Sequence, residues 1–316
     1  MFIAQAYKYL HESWRYIIGF VVIFIVWQLG SVPVAITAFL KAMAEGQNME
    51  EFQEDPNQIF SILEPNLGLF LILLSFAVGM LGIWAWVKFI HKQPMISLTT
   101  SRKKVDWGRV FFGFGLIAGF STITTLIDVY FLSPESYEFQ FQAVPFLILA
   151  VISLLMIPIQ TSFEEYLFRG YLMQGIGIMA RNKWVPLLIT SIIFGGMHAL
   201  NPEVDKLGPV IMVFYIGTGL LLGIMTLMDE GMELALGFHA GNNLVAALLV
   251  TADWTALKTY SIFKDISDPE AGFDVILPVV IIYPIFLGIL AWKYKWTGWR
   301  EKLFGKVSPP PELQEL

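Results

Sequence analysis

Six residues of this chain sit in apolar runs where their side chains are costly, and their spacing is orderly. The first group is Thr161-Ser162-Phe163-Glu164-Glu165-Tyr166-Leu167-Phe168-Arg169-Gly170, which continues a long apolar stretch. On a helix Glu165 and Arg169 are four apart on one face and can pair. Glu164 then points about 100° away and stays free for chemistry. The second group is Phe194-Gly195-Gly196-Met197-His198, and the third is His239-Ala240-Gly241-Asn242-Asn243. In each, positions i and i+4 share a helical face, and the small Gly and Ala residues allow neighbouring helices to approach closely. An ionised group at the bilayer centre costs roughly 2.5–3.5 kcal/mol on the lenient insertion scale, so such a cluster needs partners or a polar cavity and marks a functional site. The other histidines, His11 and His91, fall in polar flanks, and Asp128 reads as an interhelical hydrogen-bonding residue.

The elements that must position these groups are membrane spans. The chain has 316 residues, 56% hydrophobic and 15% charged, more apolar than one aqueous core requires. Crossing a ~30 Å hydrocarbon slab takes roughly 20 apolar residues in a helix. Runs at about 17–41, 66–90, 110–132, 144–162, 184–200, 209–228, 233–251 and 275–296 predict eight transmembrane helices. The expected fold is therefore an all-α polytopic membrane protein with a polar intramembrane cavity. Alternating ten-residue strands are absent from the sequence, which argues against a β-barrel. With no Cys, disulfides and thiolate catalysis are excluded. Nothing in the sequence forms a nucleic-acid patch.

Residues 1–16 place Ile3, Tyr7, Leu10 and Trp14 at helical spacing and predict an interfacial amphipathic segment, with residues 17–296 as the membrane domain. Residues 297–316, including Pro309-Pro310-Pro311, predict a cytoplasmic tail with an extended end. The 88–109 loop carries Lys88, Lys92, Arg102, Lys103, Lys104 and Arg109, whereas the 42–65 loop carries Glu45, Glu50, Glu51, Glu54, Asp55 and Glu64 without Lys or Arg. Cytoplasmic loops hold the excess of Lys and Arg, so the first loop is predicted inside and both termini are predicted cytoplasmic.

Glu-Glu-x-x-x-Arg at 164–169, Phe-x-x-x-His at 194–198 and His-x-x-x-Asn at 239–243, in that order on an apolar chain, resemble the CPBP family. This is the CAAX-protease and bacteriocin-processing family, also called Abi, of intramembrane endopeptidases. The motifs span 164–243, inside a protease core expected at about 144–251. The resemblance implies that Glu164 and His198 activate a water to attack a peptide bond. It implies that His239 and Asn243 stabilise the oxyanion, and that Glu165 and Arg169 hold the site together. The implied substrate is a membrane-associated protein or peptide. Glu164, His198 and His239 are also a ligand set that suits Zn²⁺ with an open position for water, and the same residues suffice without metal. His-Glu-x-x-His, Gly-x-Gly-Asp and Gly-x-Ser-x-Gly signatures are absent. The competing readings are a non-catalytic scaffold of the same fold that binds a partner peptide, and a transporter. The latter would show two related halves, which the sequence lacks.

One expectation is geometrically awkward. A fourth span ending near 162 leaves Glu164 at its cytoplasmic end, while His198 lies some 14 residues into the fifth, roughly 20 Å deep at ~1.5 Å per residue. They meet only if that boundary lies elsewhere within 162–184, if the helices tilt, or if a cavity reaches in from the cytoplasmic side.

Overall fold

The computed structural model of the protein describes residues 1–47, 62–256, 258–269 and 272–310. Glu50, Glu51, Glu54 and Asp55 of the acidic loop and the chain end from 311 lie outside the described residues. Helices occupy all eight predicted stretches. The first is split at Ser31 into α1 (Ser13–Gly30) and α2 (Val32–Ala44). Then follow α3 (Pro65–Phe89), α4 (Trp107–Leu132), α5 (Ala143–Ala180), α6 (Trp184–Gly196), α7 (Ile211–Asp229), α8 (Glu233–Leu249) and α9 (Val275–Tyr294). Among the described residues six segments are long and apolar enough to cross a membrane: α1 with α2, α3, α4, α5, α7 and α9. The other two predicted spans are short, 13 residues in α6 and 17 in α8; α8 carries the third motif, and the second begins on α6 and ends with His198 in the turn after it. The polytopic all-α class stands, and the count of full-length spans falls from eight to six.

The largest departure is α5. It does not stop at 162 but runs 38 residues to Ala180, passing through a wider π-helical turn at Tyr166–Leu172. An apolar window cannot see this continuation, because Gln160, Thr161, Glu165, Arg169 and Gln174 are all buried by protein and not by lipid. Upstream, the exposed Leu147, Val151, Leu154 and Leu155 on the same helix form the outward apolar face expected against lipid.

Two apolar cores flank the site. One joins Ile23 of α1, Ile83 and Val87 of α3 and Phe163, Leu167 and Tyr171 of α5. The other joins Ile117 of α4, Leu221 and Leu222 of α7, Phe238 of α8 and Phe286 of α9. Between them α8 packs closely on α4, since a Cβ on Gly237 would lie 1.8 Å from the Val110 carbonyl oxygen and one on Gly241 would lie 2.7 Å from that of Phe114. The Gly-x-x-x-Gly spacing thus works as a small-residue contact between helices.

The N-terminal segment differs from the expected surface anchor. Ile3–Lys8 form a short 3₁₀ helix, Ala4 is buried, and Phe2, Ile3 and Ala6 are buried in the first core. His91, expected in a polar flank, is fully buried, with Nδ1 2.7 Å from the Leu10 carbonyl and Nε2 3.2 Å from the Tyr171 hydroxyl. A small sheet, β1 (Tyr137–Phe139), β3 (Phe263–Asp265) and β2 (Val250–Ala252) in that order, lies beyond the ends of α4 and α8. Asp128, at the last turn of α4, accepts from the Tyr137 hydroxyl at 2.5 Å and so ties that sheet to the helix.

Candidate active site

The continuous α5 removes the depth conflict. Counting back from Ala180 to Glu164 gives ~24 Å of helix, and counting forward from Trp184 to His198 gives ~21 Å, at ~1.5 Å per residue. Two antiparallel segments joined by the short turn at 181–183 therefore bring these side chains to one level. Glu164, His198, His239 and Asn243 all line one cavity of about 260 Å³, whose remaining wall is largely apolar and aromatic, including Phe120, Phe214 and Tyr283. The cavity sits between α4, α5, α6, α7, α8 and α9.

Beneath it lies the buried pair. Arg169 Nη1 donates to Glu165 Oε1 at 2.9 Å, with both side chains fully buried. Arg169 Nη2 donates to the Gly219 carbonyl of α7 at 3.2 Å, and its guanidinium lies 4.4 Å over the Phe194 ring. One arginine thus fastens α5 to α6 and α7. Glu165 Oε1 also meets His239 Nδ1 at 2.8 Å. An ionised carboxylate only accepts, so Nδ1 carries the hydrogen and Nε2 is presented on the cavity side.

On that side His239 Nε2 lies 3.5 Å from Glu164 Oε2 and 3.5 Å from Asn243 Nδ2. Asn243 Oδ1 accepts from Asn242 Nδ2 at 3.1 Å, which fixes which end of the Asn243 amide faces His239. His198 Nδ1 is 2.9 Å from the Phe194 carbonyl, so this nitrogen too carries the hydrogen and Nε2 keeps its lone pair in the neutral ring. The His198 ring stacks on Tyr215 of α7, centroids 4.4 Å apart and planes inclined by 20°.

Two contributors were missed from sequence. Gln160 is bonded to both Glu164 and Asn243, and Tyr215 stacks on His198. A Gln one turn before Glu164 was a readable signal, since i and i+4 share a face. Tyr215 left no signal, because nothing local links it to position 198.

Glu164, His198 and His239, the ligand set considered for Zn²⁺, all line this cavity. Among the described residues no three His, Cys, Asp or Glu side chains come together in a group able to hold a metal ion. His239 gives Nδ1 to Glu165 and keeps Nε2 toward the cavity, an orientation that serves a proton donor or a metal ligand alike.

The class these observations define is a multi-pass α-helical membrane protein with a buried ion pair beneath a largely apolar cavity into which a few polar side chains project. Residues 143–245, which contain all six site residues, match the family model described as type II CAAX prenyl endopeptidase Rce1-like. Over these residues the chain is similar to the Rce1-like family, which is consistent with the CPBP family and with a CAAX-type intramembrane protease at the level of the family. The chain is also similar to the uncharacterized protein YyaK of Bacillus subtilis (strain 168), 28% identical over 292 residues that cover 89% of this chain and 92% of that protein. No solved structure matches.

Proposed function

We propose that the protein is an intramembrane endopeptidase that hydrolyses a peptide bond of a membrane-associated protein or peptide. The observation that carries this reading is the shared cavity. Four residues drawn from three motifs, spread over 80 positions from 164 to 243, line one space of about 260 Å³. That space can admit water and an extended backbone.

In this reading Glu164, assisted by the His198 Nε2 lone pair, takes a proton from the attacking water. The water oxygen bonds to the scissile carbonyl carbon, and the carbonyl oxygen becomes an oxyanion. Asn243 Nδ2–H and a protonated His239 Nε2 stand 3.5 Å apart as two donors for that one oxygen. The imidazolium this requires faces two carboxylates, Glu165 at Nδ1 and Glu164 at Nε2. Collapse breaks the C–N bond, and the proton held by Glu164 passes to the leaving amine. Every step uses side chains of the chain itself.

The test compares protein N- and C-termini in membranes from cells making the wild type or Glu164→Ala at matched levels. Fragments found only with the wild type establish proteolysis and name the substrate. Identical termini with folded protein in both strains overturn the enzyme reading in favour of a peptide-binding scaffold.

A further inference from the structure

Gln160 lies outside all three motifs, yet its amide touches both halves of the proposed machinery. Its Nε2 donates to Glu164 Oε1 at 2.6 Å, and its Oε1 accepts from Asn243 Nδ2 at 3.2 Å. The side chain is buried and lines the same cavity. Chemistry fixes its orientation: an ionised carboxylate only accepts, so the NH₂ end must face Glu164 and the carbonyl end must face Asn243. The Asn242 contact independently turns the Asn243 NH₂ toward Gln160. Only a side chain that both donates and accepts can satisfy this pair. A Glu at 160 would set two acceptors against each other, and an apolar residue would leave both neighbours short of a bond at a buried site.

We infer that Gln160 is a positioning residue that couples the water-activating carboxylate to the oxyanion donor. By occupying Oε1 of Glu164 it leaves Oε2 directed at His239 and the cavity. By holding Asn243 it keeps Nδ2 beside His239 Nε2, so one amide sets the distance between the attacking and stabilising sides. This inference rests on the protease reading, and its test separates the two.

The experiment uses full-length protein in detergent and a peptide spanning the cleavage site found by the terminus comparison. Gln160→Met, close to isosteric, is expected to lower kcat roughly 10- to 100-fold with KM within about 3-fold, since a misplacement near 1 Å can cost ~10² in rate. In an Asn243→Ala background the same change should cost less than in the wild type, because the Asn243 contact is already gone and only the bond to Glu164 is left to lose. A kcat within 2-fold of wild type, or full multiplicative losses in the double variant, overturns the inference. A second readout needs no activity: the Asn243 side-chain amide resonance in ¹⁵N-labelled protein, assigned by its loss in Asn243→Ala. It should shift in Gln160→Met, which removes the acceptor for Asn243. An unmoved resonance in Gln160→Met overturns the coupling. A wild type that cleaves nothing while the resonance does shift defeats the protease reading and leaves the coupling standing.

Discussion

Glu164 and Glu165 are neighbours with different tasks because a helix turns about 100° between them. Glu165 is directed into protein, where Arg169 and His239 share its Oε1, whereas Glu164 reaches the cavity. Removing one partner of a buried pair leaves an uncompensated charge, so Arg169→Met is expected to destabilise the protein by about 3–5 kcal/mol. Thermal unfolding in detergent should show this as a large drop in Tm, and an unchanged Tm would mean the pair is not structural. Asn243→Ala should instead leave Tm nearly unchanged and lower kcat by roughly 10²–10³, the usual loss for one oxyanion donor. Cleavage should also persist in a strong chelator, because the His and Glu side chains do not gather into a metal-holding group. Loss of activity restored by added Zn²⁺ would show that the reaction uses the metal.

At the scale of elements, the site depends on how closely α8 can approach α4. Gly113, Gly237 and Gly241 all face carbonyl oxygens of the partner helix at distances a Cβ could not tolerate. Gly237→Ala should therefore push α8 away, destabilise by about 1–3 kcal/mol as overpacking does, and reduce activity by displacing His239. Gly196→Ala on α6 is the control, since a Cβ there meets nothing within 4 Å. Equal tolerance of both substitutions, read by Tm and cleavage rate, would show that the α4–α8 contact is not rigid. The wider turn at Tyr166–Leu172 belongs to the same scale, because π-helical turns inside α-helices tend to accompany functional sites.

For the whole molecule, the basic end is closed by charge. Arg102 bonds Asp229 at 2.8 Å and Glu233 at 3.1 Å, fastening the start of α4 to the α7–α8 turn. The acidic residues of that turn, neutral for topology, thus serve as partners for the loop cations. Glu230 is contacted by the Phe2 N–H, the N-terminal ammonium and Lys302, so both ends of the described chain meet at one end of the protein. Burial works to raise the Glu230 carboxyl, but Lys302, the N-terminal ammonium and the Phe2 N–H outweigh it and hold it below the usual range. A depressed folded pKa contributes stability above the unfolded value of ~4.3, and that contribution is lost as pH falls through the folded value. The Tm gap between wild type and Glu230→Gln should accordingly be full near neutrality and close as pH falls below about 4. A gap independent of pH would mean that the charge is not what matters. Reporter fusions at either terminus are expected to read cytoplasmic, and one in the 133–143 loop to read outside, from the distribution of Lys and Arg.

The sequence by itself determined the membrane class, the helical stretches and the identity of the polar cluster. Hydropathy and i,i+4 spacing are local properties, so the Glu165–Arg169 pair and the separate direction of Glu164 could be read directly. Tertiary structure alone decided the rest. The true end of α5 was hidden because Gln160, Glu165 and Arg169 are covered by protein, which hydropathy scores as if it were water. The convergence of Glu164 and His198 followed from that longer helix. Burial of the first residues and of His91 depended on surfaces far away in the chain, and the contacts of Gln160 with Asn243 and of Tyr215 with His198 appeared only when the helices met around one cavity.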